Sequence, residues 1–180
     1  YYEYTLESCV RTHEAGLKNI LVTAAYICEA PWRELLEHVD VARIDLKSMS
    51  EDFYRDICEA SLAPVLNAAA LASARGRHVE IVHLIIPTLN DSDDDLTRLC
   101  RWIRENLGRE TPLHYSRFFP QYRLRNLPPT PLAVLVKAKQ IAEAEGLQFI
   151  YIGNVVENEA ADTYCPKCRR VLIRRSGYTV

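Results

Sequence analysis

Short apolar runs alternate with amphipathic segments along this chain at a spacing of about 30 residues, the length of one βαβ unit. The strand-like runs lie at 19–23, 41–46, 78–86, 113–118 and 147–152. All are short and rich in β-branched or aromatic residues, as buried parallel strands are. Between them, Leu6, Cys9, Val10 and His13 fall at helical spacing, as do Leu62, Val65, Leu66 and Ala69. Leu96, Leu99, Cys100, Ile103 and Leu107 continue the rule on a further helix. Gly16, Gly76, Gly108 and Gly146 each follow a helical pattern, where a left-handed C-cap is needed. Ser50 before Glu51-Asp52 reads as an N-cap, and so does Thr130 before Pro131. The pattern predicts an α/β fold with about five parallel strands joined by right-handed crossovers. A closed eight-stranded barrel needs roughly 200 residues or more, and this chain has 180. An open, partial barrel or a doubly wound sheet remains. The body is expected over 1–160, and 161–180 reads as a small ribbon with no low-complexity linker before it.

A formal charge of −2 excludes a strongly basic nucleic-acid binder. No apolar run approaches the roughly 20 residues of a membrane span, so no membrane partner is expected. Gly-x-Gly-x-x-Gly, a phosphate-binding Gly-Lys-Ser/Thr loop and a Gly-x-Ser-x-Gly elbow are all missing, which argues against a dinucleotide enzyme, a nucleotide triphosphatase and an α/β-hydrolase. The single methionine is Met49 and the sequence opens at Tyr1, which reads as a piece of a longer protein or one trimmed upstream.

Of six cysteines, Cys9, Cys28, Cys58 and Cys100 are scattered singly and are expected to be small buried hydrophobes. Their spacing suits reduced thiols and a cytoplasmic location rather than a disulfide framework. Cys165 and Cys168 differ. With Pro166 between them they form half of a tetrahedral zinc knuckle whose other ligands come from sequence outside this chain. A redox dithiol or an inert turn is the alternative.

In parallel α/β folds the chemistry sits where strands end. That rule selects Thr23, Asp45-Leu46-Lys47, Val82 to Pro87, Ser116 to Phe119, and Gly153-Asn154. Asp45 and Lys47 alternate by two and share a face, where they either hold a zwitterion or a cation, or form an internal salt bridge. His83 on an apolar strand reads as a hydrogen-bonded core histidine. Arg117 either grips a carboxylate or phosphate or pairs with a neighbouring acid. The acidic stretch 90–95 lacks the glycine and glutamate of a calcium loop and reads as a helix start.

Several stretches, taken in order, carry a resemblance. They are Ala15 to Asn19, Val41 to Lys47, Ser50 to Tyr54, Leu84 to Ser92, His114 to Pro120, Pro128 to Pro131, Tyr151 to Val155, and Thr163-Tyr164-Cys165-Pro166-Lys167-Cys168. Together they resemble the radical S-adenosylmethionine (SAM) enzyme of the AmmeMemoRadiSam system, related to pyruvate formate-lyase activating enzymes. The resemblance implies a partial (β/α) barrel, a 4Fe–4S cluster on Cys-x-x-x-Cys-x-x-Cys, and SAM at the open iron. It also implies a 5′-deoxyadenosyl radical for hydrogen abstraction from an unknown substrate, an electron donor such as flavodoxin or ferredoxin, and a partner protein of the same system. Neither the cluster motif nor the family's Gly-Glu motif occurs here. Both are expected upstream of Tyr1, making this chain a C-terminal part that is inactive alone.

Carried over by position, Thr23 lies near the methionine moiety, Asp45 and Lys47 line the cofactor site, and Val82 replaces a cofactor-binding arginine. Leu84 is an apolar contact, and Phe119 stands where a histidine is expected and can stack on adenine. Ala24-Ala25 replace Asn-Gly, Glu59-Ala60 replace Gly-Gly, and Thr88 replaces a glycine. Cys165 and Cys168 match a terminal Cys-Pro-Lys-Cys and are expected to join a cysteine pair near the absent N-terminus around zinc. A glycyl-radical activating enzyme, or a degenerate barrel serving as scaffold or zinc-binding module, is the alternative.

Overall fold

The computed structural model describes residues 1–155, 159–175 and 179. Helix α1 (Tyr2–Glu14) leads into β1 (Ile20–Thr23), α2 (Glu29–Leu35) and β2 (Val41–Asp45). Two helices, α3 (Glu51–Ile57) and α4 (Leu62–Ala74), precede β3 (His78–Ile85). Then come α5 (Asp93–Asn106), β4 (Leu113–Arg117), α6 (Leu132–Ala144) and β5 (Ile150–Gly153), and finally β6 (Thr163–Tyr164) and β7 (Val171–Ile173).

The first five strands form one sheet in the order β1-β2-β3-β4-β5, each parallel to the next. This order distinguishes the two architectures compatible with the sequence. A doubly wound sheet reverses direction partway and so gains helices on both faces. Here every crossover steps the same way, and right-handed crossovers then place all the helices on one face. The sheet is an arc of a barrel.

Burial follows that arrangement. Ala42, Ile44 and Leu46 of β2 and its extension are buried, as are Ile81 and Ile85 of β3, Leu113 and Tyr115 of β4, and Ile152 of β5. They meet Trp32, Leu35, Val65, Ala69, Leu99, Ile103, Leu135 and Ala138 from the helices in one core. Alternation at a period of two sends the intervening residues to the other face, where Ile20 and Val22 of edge strand β1 are 66% and 64% exposed. Two polar contacts tie the core together: Trp32 Nε1 donates to the Ala68 carbonyl at 2.9 Å, joining α2 to α4, and Cys100 Sγ lies 3.3 Å from the Tyr115 hydroxyl.

Gly16, Gly76, Gly108 and Gly146 all take positive φ at helix ends, as their positions predict. Ser50 accepts the Phe53 N–H and Ser92 accepts the Asp95 N–H, so both cap helices. Thr130 does not. Pro131 occupies the N-cap of α6 without a side-chain bond, because the Thr130 hydroxyl is engaged elsewhere. Of the four scattered thiols, Cys9 and Cys100 are buried, Cys58 is half-buried and Cys28 is exposed. Cys28 departs from expectation because it is the N-cap residue of α2, at the helix mouth and outside its apolar stripe. At the C-terminal end β6 and β7 pair antiparallel, Thr163 with Ile173 and Tyr164 with Val171.

Candidate functional site

Register decides which predicted site residues share a face. Asp45 pairs with Val82, Val82 with His114 and His114 with Tyr151, so these four form one row across the helix-free face. The next row along contains Leu84, Ser116 and Gly153. Lys47, two residues beyond Asp45, places its Nζ 2.8 Å from Asp45 Oδ2, with both side chains about one-third exposed at 35% and 32%. Thr23 differs: it pairs with Ile44 and shares the helix-covered side. Its Oγ1 accepts the Ala25 N–H at 2.9 Å, closing the turn after β1.

The Asp45-Leu46-Lys47 strand end is held on every backbone group that follows Asp45. The Leu46 N–H donates to the Val82 carbonyl, and the Leu46 carbonyl accepts from His83 Nδ1 at 2.8 Å. The Lys47 N–H donates to the Tyr54 hydroxyl, and the Lys47 carbonyl accepts from Asn90 Nδ2 at 2.7 Å. Asn90, buried to 1% exposure, also donates to the Leu84 carbonyl and accepts the Ile86 N–H. Its amide therefore joins the ends of β2 and β3. Tyr54 has its pKa pushed up to about 12, chiefly by burial, and stays neutral as an acceptor for Lys47. His83 is the core histidine that its apolar strand predicts. Burial lowers its pKa, so Nδ1 carries the proton given to Leu46, while buried Nε2 has no hydrogen-bond partner.

A second staple joins β3 to β4. The Thr130 Oγ1 donates to the Ile85 carbonyl at 2.6 Å and accepts the Phe118 N–H at 3.0 Å. Arg117 Nε donates to the Thr130 carbonyl, and the Arg117 guanidinium sits 5.0 Å from the Phe119 ring centre. Among the described residues Arg117 thus meets no acid, and it lies against Phe119. That ring is 48% exposed, on the strand-end side of the sheet like Asp45 and Lys47. Leu84 packs beside Phe53, Ile86 and Phe118 in a small apolar cluster over the ends of β3 and β4.

Towards the strand starts the same face is polar. His114 Nε2 lies 3.0 Å from Glu80 Oε2, close but not aligned as a hydrogen bond. The contact with His114 holds the Glu80 carboxyl below its usual range against the opposing effect of burial. His114 stacks on Tyr151 at 4.9 Å, Arg175 covers Tyr151 at 5.5 Å, and the Tyr151 hydroxyl meets Thr163 Oγ1. The C-terminal segment therefore closes the β5 side of the face, while the β1 side is open.

Three substitutions singled out in the sequence fall on unusual backbone. Ala25, Glu59 and Thr88 have φ of 51°, 52° and 68°, a region that costs non-glycine residues about 1–2 kcal/mol. These are the positions where the resemblance places glycine.

A cavity of about 740 Å³ opens between α2 and α4, lined by Tyr26, Cys28, Trp32, Arg33, Asn67 and Leu71 among others. It lies in the helix layer, against the loop that follows β1 and away from the Asp45–Lys47 pair. The described residues contain no group of three or more His, Cys, Asp and Glu side chains placed to share a metal ion, so they do not fit a 4Fe–4S cluster. The Asp45–Lys47 pair does fit a zwitterion, offering a carboxylate to an ammonium group and an ammonium to a carboxylate. Among the described residues, no single helix is long and apolar enough to cross a membrane.

No protein-family model matches the chain. An uncharacterised protein of Methanocaldococcus jannaschii is 45% identical over 97% of this chain and 52% of its own length. A pyruvate formate-lyase-activating enzyme of Clostridium pasteurianum is 25% identical over 69% of this chain and 56% of its own. The chain thus spans about half the length of the curated relatives it matches. Among solved structures, a domain of a pyruvate-formate lyase-activating enzyme from Bacteroides vulgatus superposes with a TM-score of 0.73 at 16% identity, over 85% of this chain and 91% of that one. A radical SAM methyltransferase from Sphaerobacter thermophilus gives 0.58 at 16% identity, covering 77% and 41%. Streptococcus suis SuiB bound to S-adenosylmethionine gives 0.64 at 11% identity, covering 84% and 38%. The fold of this chain is therefore shared with these structures, and the chain is a distant homologue of pyruvate formate-lyase-activating enzymes with the fold of radical SAM enzymes.

Proposed function

We propose that this chain forms the SAM-binding arc of a radical SAM enzyme whose cluster ligands lie in sequence outside these residues. The observation that carries the proposal is the Asp45–Lys47 ion pair at the end of β2, on the helix-free face and on a backbone held at each following group. A methionine moiety carries an ammonium and a carboxylate, and the pair answers both. Exchanging one internal ion pair for two partial ones costs little when both groups already stand about one-third in water. Leu84 supplies an apolar wall, Val82 adds no charge where the family has an arginine, and Phe119 presents a ring face for adenine. SAM, bound and reductively cleaved, supplies the radical chemistry. This chain supplies binding, orientation and a face closed to water on its β5 side. Hydrogen abstraction from an unidentified substrate is the reaction class this reading implies.

Equilibrium dialysis of SAM against the full-length protein tests the reading. Asp45→Asn and Lys47→Met each remove one charge-assisted contact, and each is expected to weaken binding about tenfold. Arg33→Met, beside the cavity between α2 and α4, leaves affinity unchanged. Wild-type affinity in both Asp45→Asn and Lys47→Met, with a loss in Arg33→Met, would move the site to that cavity.

A further inference from the structure

The hairpin formed by β6 and β7 carries chemistry that the helix-free face does not use. Its tip is Cys165-Pro166-Lys167-Cys168, closed by two backbone bonds of 2.8 Å each: the Cys165 N–H to the Arg170 carbonyl and the Arg169 N–H to the Cys165 carbonyl. Arg169 then takes φ of +60°, the left-handed turn that returns the chain to β7. Cys165 is half-buried and Cys168 exposed, and both are free thiols.

This tip is a turn between antiparallel strands. A redox Cys-x-x-Cys pair draws its reactivity from a helix N-terminus, and no helix starts here. Two thiolates three residues apart on a tight hairpin instead span two corners of a tetrahedron. Charge points the same way. Between 163 and 175 there are five basic residues, Lys167, Arg169, Arg170, Arg174 and Arg175, and no acidic one. A zinc ion with four thiolates carries a net charge of −2, which such a ribbon offsets. The hairpin is also fixed in place: Arg169 reaches Glu143 of α6 at 3.5 Å, the Arg175 N–H donates to Asp162, and the Arg175 guanidinium donates to the Ala161 carbonyl and Thr163.

We propose that Cys165 and Cys168 are one half of a structural tetrahedral zinc site, completed by two further ligands that the described residues of the same chain do not bring to it. Those ligands belong either to another part of the same protein or to a second copy of this chain. The site is independent of the SAM-binding reading, and each can fail without the other.

The test is metal analysis of the full-length protein purified from zinc-supplemented medium, alongside Cys165→Ser and Cys168→Ser. Zinc is expected in the wild type and is expected to fall at least tenfold in each variant. In the wild-type protein, Cys165 and Cys168 should resist iodoacetamide until a chelator removes the metal. Cobalt exchanged for zinc should show thiolate charge-transfer bands and tetrahedral ligand-field bands, which decides the matter even where a serine variant fails to fold. One zinc per chain in a monomer places the remaining ligands within the same protein, and one per two chains in a dimer places them in the second copy; both outcomes support the site. Zinc retained in both variants would overturn it. So would a Cys165–Cys168 disulfide, free alkylation of both thiols in metal-loaded protein, or iron and sulfide at these cysteines instead of zinc.

Discussion

Thr88 shows how a single residue holds backbone that its own chemistry disfavours. Its φ of 68° is costly for a β-branched side chain. The loop holds because the Thr88 N–H donates to Asp91 Oδ1 at 2.8 Å and because Asn90 binds three backbone groups nearby. The exposed Thr88 side chain makes little contact that glycine would lose. Thr88→Gly relieves a left-handed strain of about 1–2 kcal/mol and loses about 0.4–1 kcal/mol through the freer unfolded chain. Urea denaturation should therefore show a variant about 0.5 kcal/mol more stable than wild type; a variant less stable than wild type would mean that Thr88 is not strained. The sequence identified Thr88, Ala25 and Glu59 as departures but not as strained, because backbone conformation is not legible in residue type. Asn90 was equally hidden. It reads as one acid-rich helix start among others, and the Lys47 carbonyl that defines its role lies 43 residues away.

At the scale of elements, periodicity carried most of the information. All five parallel strands lie within three residues of the apolar runs that predict them, and the helix-ending glycines take the left-handed turn they predict. Both signals are local, so neighbouring residues suffice to read them. The junction between β4 and α6 departs from its local pattern for the opposite reason. Threonine before proline and an apolar run satisfies the helix-start pattern, yet the Thr130 hydroxyl lies against the end of β3, 45 residues earlier, and binds there. Thr130 is thus a staple between β3 and β4. Thr130→Val keeps the shape but leaves the buried Ile85 carbonyl and Phe118 N–H without this partner. Stability should fall by about 3 kcal/mol, and hydrogen exchange at Phe118 should quicken ahead of exchange in β2. A loss below about 0.5 kcal/mol with unchanged exchange would refute the staple.

For the whole molecule, the strand order places the helices on one face and leaves the other free of them. A sheet stepping in one direction, with β1 an exposed edge and β5 covered by the C-terminal segment, presents a face open on one side. Asp45, Lys47, Val82 and Leu84 stand on it together. The alternation of apolar and amphipathic runs predicted an arc or a doubly wound sheet and left the choice open, since strand order is a property of the assembled sheet and not of any one segment. The proposed function puts radical chemistry on this face. The most direct test is anaerobic loading of the full-length protein with iron and sulfide, followed by reduction in the presence of SAM and chromatography for 5′-deoxyadenosine. 5′-Deoxyadenosine is expected from the wild type, and at least tenfold less from Asp45→Asn. A fully formed, reducible 4Fe–4S cluster that yields no 5′-deoxyadenosine would contradict it.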